Sequence, residues 1–170
     1  MTGAVNGQEG ASANGPESAP ARPPIRVDGQ RQIRASRERA WAVLTDPVAV
    51  AACLPVPATA EASPPDGFRV TATVTVIIFP LRVVVDGQFV ERVTPERAVV
   101  AATAVVPGGS VAVEARLELD AGPGDATTLR WQFQAVPAGS VAALAGDRVP
   151  AAVLEAIERT LACLATRIEA

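Results

Sequence analysis

The sequence predicts an α+β fold of the helix-grip type. In it a curved antiparallel β-sheet wraps around a long C-terminal α-helix, with two short helices after the first strand. Three observations carry this. Between Phe68 and Ala135, apolar and polar residues alternate with period two, the mark of an antiparallel sheet with a single apolar face. From Gly139 onward, apolar residues recur at three- to five-residue steps and supply a stripe that can cover that face. Between the first strand and the sheet lies "SRERAWAVLTDPVAVAACLP", residues 36–55, whose Asp-Pro step ends one helix and starts another.

Taken in order, residues 1–24 are rich in Gly, Ala, Pro, Ser and Asn and almost lack large apolar side chains. Such a segment cannot bury enough surface to offset its ordering entropy, so a disordered tail is expected ahead of one domain, residues 25–170. "IRVDGQRQIRA" reads as a first strand with a glycine in its middle. Ser36 stands where an N-cap belongs, ahead of a short helix with Trp41 and Leu44 on one face. Asp46 and Pro47 then suit the N-cap and first position of a second helix, which ends near Pro55 and Pro57. Strands follow over "FRVTATVTVII", 81–93, 97–106, "SVAVEARLELD" and "TTLRWQFQA". In the last of these, Leu129, Trp131, Phe133 and Ala135 alternate with Arg130, Gln132 and Gln134. The closing stripe, Val141 to Ile168, implies about 30 helical residues and a rod of roughly 45 Å. Pro150 lies inside it, so a kink or a restart is expected there.

The totals exclude much chemistry. All 15 basic residues are arginine, 18 residues are acidic, and there is no His, Tyr or Lys. The usual general base, phenolic acid and Schiff-base amine are therefore missing. Two cysteines 110 residues apart supply no zinc-ligand spacing, so no metal site is expected. The arginines are scattered without interleaved aromatics, which argues against nucleic acid. The N-terminus lacks the pattern of an export signal, so the expectation is a cytoplasmic protein with both thiols reduced. Cys53 would need a base or a positive field to act as a nucleophile, and its surroundings, "AVAACLP", are apolar. Cys53 and Cys163 read as packed side chains, Cys53 marking a lid segment at one end of a cavity.

That cavity is the expected site. Small residues on the inward faces (Ala72, Ala115, Ala135, Ala145, Ala152 and Ala156) either leave a hollow or let sheet and helix approach closely. The expected wall comprises Cys53, Leu54, Phe89, Leu117, Trp131, Phe133, Leu144, Val149 and Val153, with ligand choice resting on shape and apolar area. A second site is "VIIFPLRV", which puts Ile77, Ile78, Phe79 and Leu81 at or near a turn, with Arg82 beside them. An apolar apex there suits a cavity mouth, a membrane-dipping tip, a partner contact or a segment folded back on the helix. An enzymatic alternative, a polyketide cyclase/aromatase or an isomerase, would need inward-facing groups such as Glu91, Arg116 or Arg130.

The element order, together with residues 36–55, "DGQFVERVTPERAVV" (86–100), "TTLRWQFQAVPAGSVAALAG" (127–146) and the apolar C-terminal helix, resembles the SRPBCC/START-like superfamily. Within it the chain is most similar to the CoxG family of carbon monoxide dehydrogenase subunits, over essentially residues 25–170. The resemblance implies a non-catalytic accessory that recruits a molybdenum-containing CO dehydrogenase or related hydroxylase to the cytoplasmic membrane. It also implies a lipophilic ligand, a quinone or membrane lipid, held between sheet and helix. Two departures stand out. Relatives follow the Leu-Pro step with Gly-Ala, whereas this chain has Val56-Pro57-Ala58, and Val56 cannot cheaply copy a glycine at positive φ. Some relatives carry a membrane-attachment tail after the long helix. Because this sequence stops at Ala170, peripheral membrane contact is expected from the domain itself.

Overall fold

The path begins as expected. Strand β1 (Ile25–Ile33) alternates half-buried and exposed residues and ends on fully buried Ile33. The computed structural model describes residues 24–144 and 146–170, so nearly all of the expected tail lies outside the described residues. Helix α1 (Arg37–Leu44) is capped by the Ser36 hydroxyl, which accepts from the Arg39 amide at 3.3 Å. Helix α2 (Pro47–Cys53) restarts at the Asp-Pro step, with the Asp46 carboxylate accepting from the Val48 amide at 3.0 Å. Both caps follow from side chains that satisfy the unpaired amides of a first helical turn.

The sheet is a meander closed by its first strand. Strands β2 (Ala58–Ser63), β3 (Gly67–Val76), β4 (Phe79–Val93), β5 (Arg97–Val106), β6 (Gly109–Ala121) and β7 (Thr127–Gly139) follow in sequence. Their order across the sheet is β1-β7-β6-β5-β4-β3-β2, and every pairing is antiparallel. A bulge between Phe89 and Glu91 bends β4. Strand β2 was not expected from the sequence. "ATAEAS" lacks large apolar residues because it is a short edge strand and most of it is exposed. Its register on β3 is supported by the Thr73 amide donating to the Pro57 carbonyl at 2.9 Å. Val56 keeps negative φ, so the missing glycine costs no left-handed strain there.

The C-terminal helix is shorter than the 30-residue rod expected. A 3-10 turn, Ser140–Leu144, precedes α3 (Val149–Glu169), which has 21 residues. Pro150 sits in its first turn, where a missing amide donor is tolerated, so the helix restarts and does not kink. The core lies under its second half. Leu161, Leu164 and Ile168 of α3 pack with Ile33, Trp41, Leu44, Leu119 and Leu129. The buried Thr127 hydroxyl donates to the Ala35 carbonyl at 2.7 Å, tying β7 to the segment before α1.

One turn is strained. The register Val76↔Phe79 leaves Ile77 and Ile78 as a two-residue hairpin loop, and Ile77 has φ +59°. Such loops favour Asn-Gly, and a left-handed β-branched residue costs about 1–2 kcal/mol. Shortening a side chain in the packed core separates its energetics from the surface. Ile168→Ala should lower unfolding free energy by about 2–5 kcal/mol in urea titrations, whereas Val48→Ser, at a 55 % exposed site, should move it by less than about 0.5 kcal/mol.

Candidate ligand-binding cavity

Helix α3 packs against β1, α1 and α2 and stands off from the central strands. The space between is a cavity of about 430 Å³, within the ordinary range for small-molecule sites. The sheet contributes Phe68, Val70, Phe89, Val100, Ala115, Leu117, Trp131 and Phe133 to its wall, with Gln132 also bordering it. Helix α3 contributes Val153, Ala156, Ile157, Thr160, Leu161 and Leu164, and the α1–α2 segment adds Leu44, Thr45, Pro47, Val50, Leu54 and Pro55. No Asp, Glu or Arg is among these residues.

Even the two hydroxyls are committed. Thr45 donates to the Trp41 carbonyl at 2.7 Å and Thr160 to the Ala156 carbonyl at 2.8 Å, each within its own helix. The wall thus meets an apolar molecule without leaving buried polar groups unpaired. Of the six aromatic residues in the chain, four line this space: Phe68, Phe89, Trp131 and Phe133. Two of them lie over glycines. Gly29 pairs with Trp131 across β1 and β7, and a Cβ on it would sit 2.6 Å from the indole. Gly87 pairs with Phe68 across β4 and β3, and a Cβ there would overlap that ring. The glycines let both rings lie down on the sheet, which keeps the space above them open. Phe68 meets Phe89 edge to face at 5.9 Å, and the Arg92 guanidinium stands 4.0 Å above the Phe89 ring. Beside this wall, Arg69 donates to Asp86 at 2.6 and 3.2 Å across β3 and β4. That hydrogen bonding holds the Asp86 carboxyl below its usual range.

Of the expected wall residues, Leu54, Phe89, Leu117, Trp131, Phe133 and Val153 come together here. Val149, in the first turn of α3, is not in the lining, and the Leu144 side chain and Ala145 lie outside the described residues. Among the small residues, Ala115 and Ala156 border the space, Ala72 and Ala135 are buried in close packing, and Ala152 is exposed. Phe68, Val70, Val50 and Ile157 were missed as wall residues. The signal for Phe68 was present in Gly87, whose purpose appears only once the strand register places the two opposite each other. The candidates of the enzymatic reading are elsewhere. Arg116 pairs with Glu114 at 3.6 Å, Arg130 with Asp120 at 2.6 Å, and Glu91 with Arg97 at 2.6 Å. At the second site, Ile77, Ile78 and Phe79 are 90 %, 75 % and 65 % exposed, Leu81 is half-buried, and Arg82 is exposed.

Cys53 overturns two expectations. It is bonded to Cys163 in a disulfide, so the thiols are not reduced in this structure and Cys53 is no part of the cavity wall. The bond joins the end of α2 to α3, with Cα atoms 5.5 Å apart. Packing of the two helices creates this proximity, which a sequence separation of 110 residues conceals. Its place is consequential, because both helices it joins contribute to the wall.

Among the described residues, no three His, Cys, Asp or Glu side chains converge as a metal site, and no helix is long and apolar enough to cross a membrane. The sheet gripping a helix across an apolar hollow defines a START-like helix-grip domain. The chain belongs to the CoxG family of carbon monoxide dehydrogenase subunits, whose model matches residues 29–169. No curated protein matches it. Solved structures share the fold at low identity. A conserved protein from Geobacillus kaustophilus is 16 % identical with TM-score 0.74, covering 85 % of this chain and 95 % of that one. A START superfamily protein from Mycobacterium smegmatis is 15 % identical with TM-score 0.61, covering 85 % and 97 %. An aromatase/cyclase from a Streptomyces species is 19 % identical with TM-score 0.57, covering 85 % and 93 %.

Two variants probe the wall. Gly29→Ala should push Trp131 toward the cavity and weaken binding of an apolar fluorescent probe about tenfold, the effect of roughly 1–3 kcal/mol of overpacking, with a shift in tryptophan emission. Reducing the disulfide should lower stability by about 2–4 kcal/mol, read as a fall in Tm, whereas a Cys163→Ala protein should melt low with or without reductant.

Proposed function

We propose that this protein binds a lipophilic small molecule, a quinone or a membrane lipid, in the cavity between sheet and α3. As a member of the CoxG family it would serve as a non-catalytic accessory, bringing a molybdenum-containing CO dehydrogenase-type hydroxylase to the cytoplasmic membrane. The observation that supports the binding half best is an apolar hollow of about 430 Å³ whose only hydroxyl donors are already satisfied. Each five-carbon isoprenoid unit buried there would contribute about 4 kcal/mol before binding costs, at about 0.8 kcal/mol per methylene. The aromatic rings of Phe68, Phe89, Trp131 and Phe133 suit a flat ring or an unsaturated tail by the same apolar contact. The family name supports the partner half.

A cyclase or isomerase working in the same space would need ionisable groups pointing into it, and Glu91, Arg116 and Arg130 are ion-paired away from its wall. Mass spectrometry of organic extracts from gently purified protein tests the binding half: a reproducible quinone or lipid is expected, and an empty extract counts against it. Ala156→Phe, which places a ring in the hollow, should reduce the extracted ligand at least about tenfold by occupying its volume. Co-purification of hydroxylase subunits with the tagged protein is the expected result for the partner half.

A further inference from the structure

Antiparallel topology brings two hairpin loops and the end of a third strand pair to one side of the molecule. These are the β3–β4 loop at 77–78, the β5–β6 loop at 107–108 and the end of β7 at Gly139. The strand segments that meet there, 70–85, 104–113 and 135–139, contain no Asp or Glu and a single charged residue, Arg82, while Arg26 opens β1 and Asp147 and Arg148 precede α3 at the same end. All 18 acidic residues of the chain lie in other segments. From this side projects the β3–β4 hairpin, with Ile77 at 90 %, Ile78 at 75 % and Phe79 at 65 % exposure. Val105, at 59 % exposure, adds apolar surface on the adjacent β5.

We infer that this end of the sheet, led by Ile77, Ile78 and Phe79, is a docking surface for a lipid bilayer. It rests on the membrane reading proposed above and names the surface that serves it. The tip has the wrong shape for a folded protein partner. A stable protein interface buries about 800 Å² on each side, and a two-residue turn carrying three bulky side chains offers far less. Its flanks are polar, with Thr73, Thr75 and Arg82 exposed on the two strands behind it. Polar flanks behind a narrow apolar point fit an interface that changes from hydrocarbon to headgroups over a short depth. Arg82 is three residues from Phe79, about 10 Å at roughly 3.4 Å per residue. Apolar groups of peripheral proteins sink about 5–10 Å, so immersing Phe79 brings the guanidinium to the phosphate level. The absence of carboxylates from the hairpin and the strand segments beside it lowers repulsion from anionic lipid, which a chain of net charge −3 would otherwise meet.

Co-sedimentation of the full chain with vesicles of phosphatidylethanolamine and phosphatidylglycerol tests this. The natural protein should pellet with the vesicles, and the triple variant Ile77→Ser, Ile78→Ser, Phe79→Ser should partition at least tenfold less. Its melting and its binding of an apolar probe in the cavity should stay unchanged, while Val48→Ser on α2 should pellet normally. In a second measurement, Phe79→Trp should show blue-shifted emission on adding vesicles, quenched by brominated acyl chains; the native Trp41 and Trp131 are 8 % and 5 % exposed and set the baseline. No pelleting of the natural protein, equal pelleting of the triple variant, or a tip variant that changes oligomeric state without changing vesicle binding would each overturn the inference. Extraction of a lipophilic ligand alongside any of these results leaves the cavity reading standing, and an empty extract with tip-dependent pelleting does the reverse.

Discussion

The hollow exists because α3 is anchored far more firmly at its C-terminal half than at its N-terminal half. Its second half is driven against β1 and α1 by Leu161, Leu164 and Ile168, which are buried with Ile33 and Leu129. Burying each such side chain contributes about 1.5–3 kcal/mol, so this end is held by several independent contacts. The first half is held more loosely: Leu154 and Ile157 reach the core only as partly buried side chains, and Val153, Ala156 and Ile157 border the space. A helix is stiff over 21 residues, so fixing one half suspends the other above the sheet. The Cys53–Cys163 bond lies near the boundary of these halves and secures α2 to the anchored side. Covalent and apolar restraint thus act on the same joint.

The same distribution decides what chemistry the interior can do. Ionisable side chains occupy the outer face of the sheet, where Arg116, Arg130, Glu114, Glu118 and Asp120 form exposed pairs. Exposed pairs of this kind contribute little to stability, but they absorb the charges that a catalytic site would have to turn inward. The interior receives five of the six aromatic residues, and glycines on the facing strands let two of them, Phe68 and Trp131, lie flat. Selection by such a wall follows size and apolar area, because it presents no directional polar contact that would reject a near-isostere.

Much of this was legible in the residue order because period and capping are local. Ser36, Asp46 and Pro47 place both short helices, and the residue pattern places six of the seven strands. What stayed hidden depends on register or on packing between distant segments. Strand β2 has no apolar alternation of its own and exists because β3 offers it an edge. The disulfide was misread because absent metal or catalytic partners say nothing about which cysteines meet when two helices pack. Val149 shares the apolar stripe of the helix, yet the restart at Pro150 leaves it in the first turn, outside the wall. Phe68 opens the alternating strand β3, but only its pairing with Gly87 shows its ring lying down on the wall.

The hairpin tip obeys a different logic from the rest of the chain. Elsewhere, local preference and tertiary need agree: caps cap, Pro150 starts a helix, and glycines sit beneath rings. At Ile77 they conflict, because a β-branched residue takes positive φ in a loop that Asn-Gly would form without strain, and its side chain is almost fully exposed. Neither folding nor solubility gains from that choice. Replacing Ile77 and Ile78 by polar turn formers would relieve the backbone and remove the apolar exposure together. A conflict of this kind, confined to one turn whose own strands carry Arg82 and no carboxylate at that end, is what a surface selected for an outside contact would leave, since nothing within the chain is improved by it.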